Sequence, residues 1–99
     1  MGESISNEEV LFNLLEELYN LNHRQWQNRI MYTLLDREHA SYMIIKEKFE
    51  EVPDLLVYRC LRELIAEGLI IKEGEKGKIQ YSFTPEGKML APILVQVQK

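Results

Sequence analysis

The sequence predicts a mainly α, α+β domain of winged helix-turn-helix architecture with additional N- and C-terminal helices. Three observations predict it. Two helical segments, about 42–49 and 54–67, are joined by a short break. The second ends in Gly68-Leu69-Ile70 and runs straight into a β-hairpin, the layout of a helix-turn-helix with an appended wing. The hairpin turn, Gly74-Glu75-Lys76-Gly77, carries a charged tip. At 99 residues the chain is a single domain. It divides into an N-terminal helix at 1–22, a winged-helix core at 23–84 and a C-terminal helix at 85–99.

Each element has local causes. Ser6-Asn7-Glu8-Glu9 reads as a capping box, with Ser6 at the N-cap and Glu9 at the third helical position. Behind it Leu11, Leu14, Leu15, Leu18 and Leu21 recur at helical spacing, and the stripe they form needs a partner. A second helix is predicted from Arg24 to Arg37, with Trp26, Ile30, Met31, Leu34 and Leu35 inward. The segment REHA is a break with one stub of strand, and Ser41 caps a short helix from Tyr42 to Phe49. Pro53 suits the first turn of the next helix, about 54–67, because a proline there loses no hydrogen bond. Gly68 ends it. The wing spans about 69–84: Leu69-Ile70-Ile71-Lys72, the turn, then Ile79, Tyr81 and Phe83 alternating with polar residues. Thr84-Pro85-Glu86 opens the last helix. Pro92 inside it removes a hydrogen bond, for no reason visible in the sequence.

The net charge of −4 looks wrong for a nucleic-acid binder, but its distribution is uneven. Residues 1–22 hold five acids (Glu3, Glu8, Glu9, Glu16, Glu17) and no Lys or Arg. Residues 23–99 hold 12 basic against 11 acidic residues, a balance of +1 that permits a local basic face. No apolar run approaches the ~20 residues of a membrane span. MGESISNEEV has no basic region leading an apolar one, so no signal peptide is expected. A single cysteine argues against a disulfide framework within the chain. These features predict an intracellular protein with no membrane partner.

The stretch LRELIAEGLIIKEGEKGKIQYSFTPEGKMLAPIL carries a resemblance. It is similar to the second half of winged-helix transcription regulators of the MarR and PadR type. In those, a recognition helix ends in Leu-x-x-x-Gly-Leu-Ile, here Leu64 to Ile70. A Tyr-x-Leu-Thr-x-x-Gly segment opens their last helix, here Tyr81 to Gly87 with Phe83 in place of the leucine. Size and wing also resemble the small winged-helix proteins encoded by viruses of hyperthermophilic archaea. The likeness covers residues 56–94 well, 23–55 loosely and the N-terminal helix weakly. It implies a transcription regulator bound to double-stranded DNA, in host cytoplasm if viral. Some winged helices bind proteins instead, and a protein-interaction module without DNA binding is the alternative.

On the 54–67 helix, advancing about 100° per residue, Val57, Leu61 and Leu64 form a core stripe flanked by Ile65. Leu55, Tyr58, Arg59 and Arg62 form the opposite arc, with the two arginines about 60° apart and able to share one groove. Cys60 falls about 160° from Arg62, on a shoulder with Leu56 and Glu67. In a major groove an arginine can bond guanine O6 and N7, and Tyr58 can meet a phosphate or a thymine methyl. Ser41 and Tyr42 offer hydroxyls to the backbone, beside a helix N-terminus that favours phosphate. Lys72, Lys76 and Lys78 sit where a wing would touch the backbone, and Lys46 and Lys48 are further candidates. Against this, Arg59 could pair with Glu63, four residues on, whereas Arg62 has Ala66 at that spacing.

No enzyme is predicted, and no cofactor. His23, His39 and Cys60 lie too far apart in sequence for a metal motif, so no metal is expected. The glycine-lysine turn lacks the spacing of a phosphate-binding loop. The terminal helices, the last rich in Met89, Leu90, Ile93, Leu94, Val95 and Val97, would leave a large apolar patch if exposed. The resembled families dimerise through such helices, which implies a homodimer presenting two recognition helices to a pseudo-palindrome. Cys60 keeps three readings: a buried thiol, an intersubunit disulfide suggested by the viral resemblance, or a redox sensor.

Overall fold

The structure is a computed structural model describing residues 6–97. Glu3 and the side chain of Val97 lie outside the described residues. The order is α1 (Asn7–Asp36), α2 (Tyr42–Lys46) continued by a 3-10 turn at Glu47–Phe49, α3 (Asp54–Ala66), β1 (Ile70–Glu73), β2 (Gln80–Phe83) and α4 (Pro85–Val97). This is the predicted winged helix-turn-helix with terminal helical extensions.

One correction concerns the start. The separate helices expected at 1–22 and 24–37 are a single 30-residue helix. No glycine or proline interrupts residues 7–36. The Asn-Leu-Asn-His stretch does not break the ladder either, since Asn22 Nδ2 donates to the Leu18 carbonyl at 2.8 Å, one turn back along the same helix. The predicted cap holds, with Ser6 Oγ accepting from Glu9 N–H at 3.0 Å.

The second half of α1 is a core helix, burying Trp26, Ile30, Met31 and Leu34. Leu35, expected inward, is 42% exposed, because it lies beyond the edge of that stripe. The first half has little beneath it. Tyr19 is buried and Leu15 partly so, but Leu11, Leu14, Leu18 and Leu21 are exposed. This half therefore projects: the radius of gyration is 15.6 Å, against about 13 Å for a compact chain of this length.

Ser41 Oγ caps α2, accepting from Ile44 N–H at 3.3 Å. Pro53 sits one residue before α3, not inside its first turn, and its carbonyl accepts from Leu56 and Val57. The end of α3 is a Schellman motif. Gly68 takes φ +77°, Gly68 N–H reaches the Ile65 carbonyl at 2.9 Å and Leu69 N–H the Leu64 carbonyl at 3.0 Å. That turn throws the chain directly into β1. The hairpin is antiparallel, with Ile70 opposite Phe83 and Lys72 opposite Tyr81. Ala40 bridges Tyr81 on the far side, the stub of strand expected in REHA.

The wing is bolted to α4 through one threonine. Thr84 Oγ1 donates to the Gly68 carbonyl at 2.6 Å and accepts from Gly87 N–H at 2.9 Å. A Cβ on Gly87 would lie 1.8 Å from the Leu69 carbonyl oxygen, so glycine is a steric requirement there. Ala91 and Val95 continue the buried face of α4, while Met89, Leu90 and Ile93 are exposed. Pro92 is also exposed, and nothing in the structure explains it.

Candidate nucleic-acid interface

The side chains expected to read DNA stand on α3, beside α2 and the base of the hairpin. The buried stripe of α3 is Leu56, Val57, Cys60, Leu61 and Leu64. Its centre is rotated by about 35° from the expected one, toward Leu56 and Cys60. Cys60 is thus a core residue at 0% exposure rather than a shoulder. Burial pushes its thiol up to about 11. In the single chain Cys60 is a free, buried thiol.

The same rotation separates the two arginines. Arg62 is exposed, and no ion pair holds it among the described residues. Arg59 turns toward α1. Its Nη1 pairs with Glu16 Oε2 at 2.5 Å and its Nε lies 3.7 Å from Glu63 Oε2. The guanidinium lies 4.1 Å from the centre of the Tyr19 ring. Glu16 is the main cause of the upward shift in the Arg59 pKa. Tyr19 in turn donates to Glu63, and its phenol is pushed far up by burial and then by that carboxylate. Phe12, Leu15 and Glu16 of α1 line a groove with Leu55, Arg59 and Arg62 of α3, so the acidic half of α1 flanks the expected reading face.

Leu55 is 61% exposed and Tyr58 42%. The Tyr58 ring stacks on Tyr42, centroids 4.2 Å apart and 6° from parallel. The Tyr42 hydroxyl donates to Asp54; burial and then that bond push its phenol up, and the bond holds the Asp54 carboxyl below its ordinary value. The expected backbone-contacting hydroxyls are therefore already engaged, Ser41 in its cap and Tyr42 with Asp54. Lys46 is also occupied, by the Phe49 and Val52 carbonyls and by Asp54 at 3.5 Å. Lys48, Lys72, Lys76 and Lys78 are exposed, the last three on the wing.

Sequence reading missed Glu16 and Tyr19 as partners of α3. They lie 43 and 44 residues from the groups they bond, Arg59 and Glu63. The one available signal was their position a single turn apart on the same helix. His23, set aside as a metal ligand, stacks on Tyr19 at 5.5 Å.

A helix pair with a tight turn, closed by a hairpin, defines a winged helix-turn-helix domain. The chain belongs to the HxlR-like helix-turn-helix family, whose model matches residues 21–99. Solved structures agree in fold. F-93 of the archaeal virus SSV1 is 24% identical over 74% of this chain and 84% of its own, with a TM-score of 0.61. The reduced transcriptional regulator YodB of B. subtilis is 17% identical, covering 96% of this chain and 89% of its own at TM-score 0.65. The MarR family transcriptional regulator SPO1453 of Silicibacter pomeroyi is 16% identical, covering 97% and 77% at TM-score 0.61. No curated protein matches the chain in sequence. The resemblance to MarR-type and archaeal viral winged helices is thus borne out at the level of fold. Among the described residues no helix is long and apolar enough to cross a membrane.

Proposed function

We propose that this protein is a sequence-specific regulator of transcription that binds double-stranded DNA as a homodimer, with α3 in the major groove and the β1–β2 wing on the backbone. The observation that carries the reading is the outward arc of α3. Leu55, Tyr58 and Arg62 stand exposed there, on the second helix of a family-matched helix-turn-helix, next to a wing carrying three exposed lysines. Lysine–phosphate contacts supply affinity, and Arg62 with its neighbours supplies base preference. Arg59 joins them only if it leaves Glu16.

Homodimerisation is supported by what the monomer leaves uncovered. The first half of α1 exposes Val10, Leu11, Phe12, Leu14, Leu18 and Leu21, and α4 exposes Met89, Leu90 and Ile93. A patch of that extent on a small domain marks an interface. Two-fold pairing through these helices sets two α3 helices toward half-sites one helical turn apart, about 34–36 Å. Such a regulator works inside the cell, where its DNA is.

Selection from random duplex DNA at moderate salt tests the function. A pseudo-palindromic motif is expected, and its loss in Arg62→Ala. If no motif emerges, the winged-helix scaffold serves protein interaction instead, a reading favoured by the acidic first half of α1, whose Glu16 lines a groove with Leu55, Arg59 and Arg62. Sedimentation tests the dimer: Leu21→Glu combined with Ile93→Glu is expected to give a folded monomer, and an unchanged dimer refutes this interface.

A further inference from the structure

We infer that the α3 face recognises thymine methyl groups, through Leu55 and Tyr58, as a second source of base preference beside Arg62; this rests on the DNA-binding reading above. The face has an unusual balance of chemistry. Of its two guanidinium groups, Arg59 is withheld by Glu16, Glu63 and the Tyr19 ring, which leaves Arg62 alone. The apolar groups, by contrast, are free. Leu55 is 61% exposed on the first turn of α3 and Tyr58, one turn on, is 42% exposed. Met43, which lines a groove with Tyr42 on α2, is 77% exposed.

The strip is also rigid. Tyr58 lies flat against Tyr42, and the Tyr42 hydroxyl is tied to Asp54 at the start of α3. An aromatic edge fixed in this way loses little freedom on binding. Among the base edges of a major groove, the one apolar group is the C5-methyl of thymine. A rigid apolar strip with a single arginine beside it therefore matches thymines next to one guanine. It has little to offer a run of guanines, which calls for several free arginines.

The experiment exploits a DNA change that leaves the protein alone. From a duplex chosen by random selection, each thymine of a half-site is replaced in turn by deoxyuridine, which keeps base pairing and O4 but lacks the methyl. Affinity is expected to fall about fourfold at each contacted position, the effect of burying one methyl group. Replacing the same thymine–adenine pair by a 5-methylcytosine–guanine pair should cost less than replacing it by an unmethylated cytosine–guanine pair. Leu55→Ala, a surface change whose folding is checked by its melting curve, should bind thymine and uracil equally at one position. Selective binding that is indifferent to deoxyuridine at every position overturns this inference and leaves the DNA-binding reading intact. If no duplex is preferred at all, both fall.

Discussion

Arg59 and Arg62 are three residues apart on one helix, and the structure predicts opposite roles for them. Arg59→Ala removes a strut between α1 and α3. The Glu16 pair is partly exposed, with side chains 30% and 38% accessible, and such pairs contribute about 0.2–1 kcal/mol. The longer contact to Glu63 is an i,i+4 pair at the low end of that range. The guanidinium over Tyr19 adds roughly 0.5–1 kcal/mol. Together these give a destabilisation of about 1–2 kcal/mol, or a fall in Tm of roughly 5–10 °C for a domain of this size. Arg62→Ala breaks none of these contacts and should change stability by less than about 0.5 kcal/mol. On selected DNA the ranking inverts, with Arg62→Ala costing about 1–3 kcal/mol of discrimination and Arg59→Ala much less. Urea and thermal denaturation at one protein concentration, needed because assembly shifts apparent stability, and fluorescence anisotropy with labelled duplex make the comparison. The reasoning is refuted if Arg59→Ala melts like the parent while abolishing base preference as Arg62→Ala does. Glu16→Gln gives an independent check: it should lower Tm part of the way and leave DNA binding equal or tighter.

Gly87→Ala forces a Cβ onto the Leu69 carbonyl, a backbone atom that cannot swing aside; a loss of about 1–3 kcal/mol is expected, and an unchanged urea midpoint would contradict the packing. Burial raises the Cys60 thiol from 9.0 to about 11 and also raises the Tyr19 and Tyr42 phenols. Their folded-state values lie above the unfolded ones, so their contribution to stability is complete below about pH 9 and is lost as pH climbs toward 11. The urea midpoint should fall across that window, and Cys60 should resist alkylation at neutral pH until denaturant is added. Lys76→Ala with Lys78→Ala should flatten the slope of log K against log salt by about 0.9 for each phosphate no longer neutralised; a parallel line would take the wing off the DNA.

The amino-acid sequence alone determined what short-range chemistry determines. The Ser6 and Ser41 caps, the Gly68 stop on α3, the wing turn at Gly74 to Gly77 and the threonine-led start of α4 each depend on groups within a few residues, and each is legible from residue type and spacing. The resemblance to winged-helix regulators was legible for the same reason, because Leu64 to Ile70 and Tyr81 to Gly87 are the stretches where backbone geometry restricts residue choice. Helical spacing also fixed the angles between Arg59, Cys60 and Arg62. It could not fix the zero of that scale. Which side of α3 faces inward depends above all on α1, far away in sequence, and the tertiary structure turned the helix toward Leu56 and Cys60. That rotation put the cysteine in the core, where apolar burial raises its pKa, and brought Arg59 within reach of a carboxylate 43 residues earlier. Only packing could decide it, because a salt bridge across two helices leaves no periodic trace in either one.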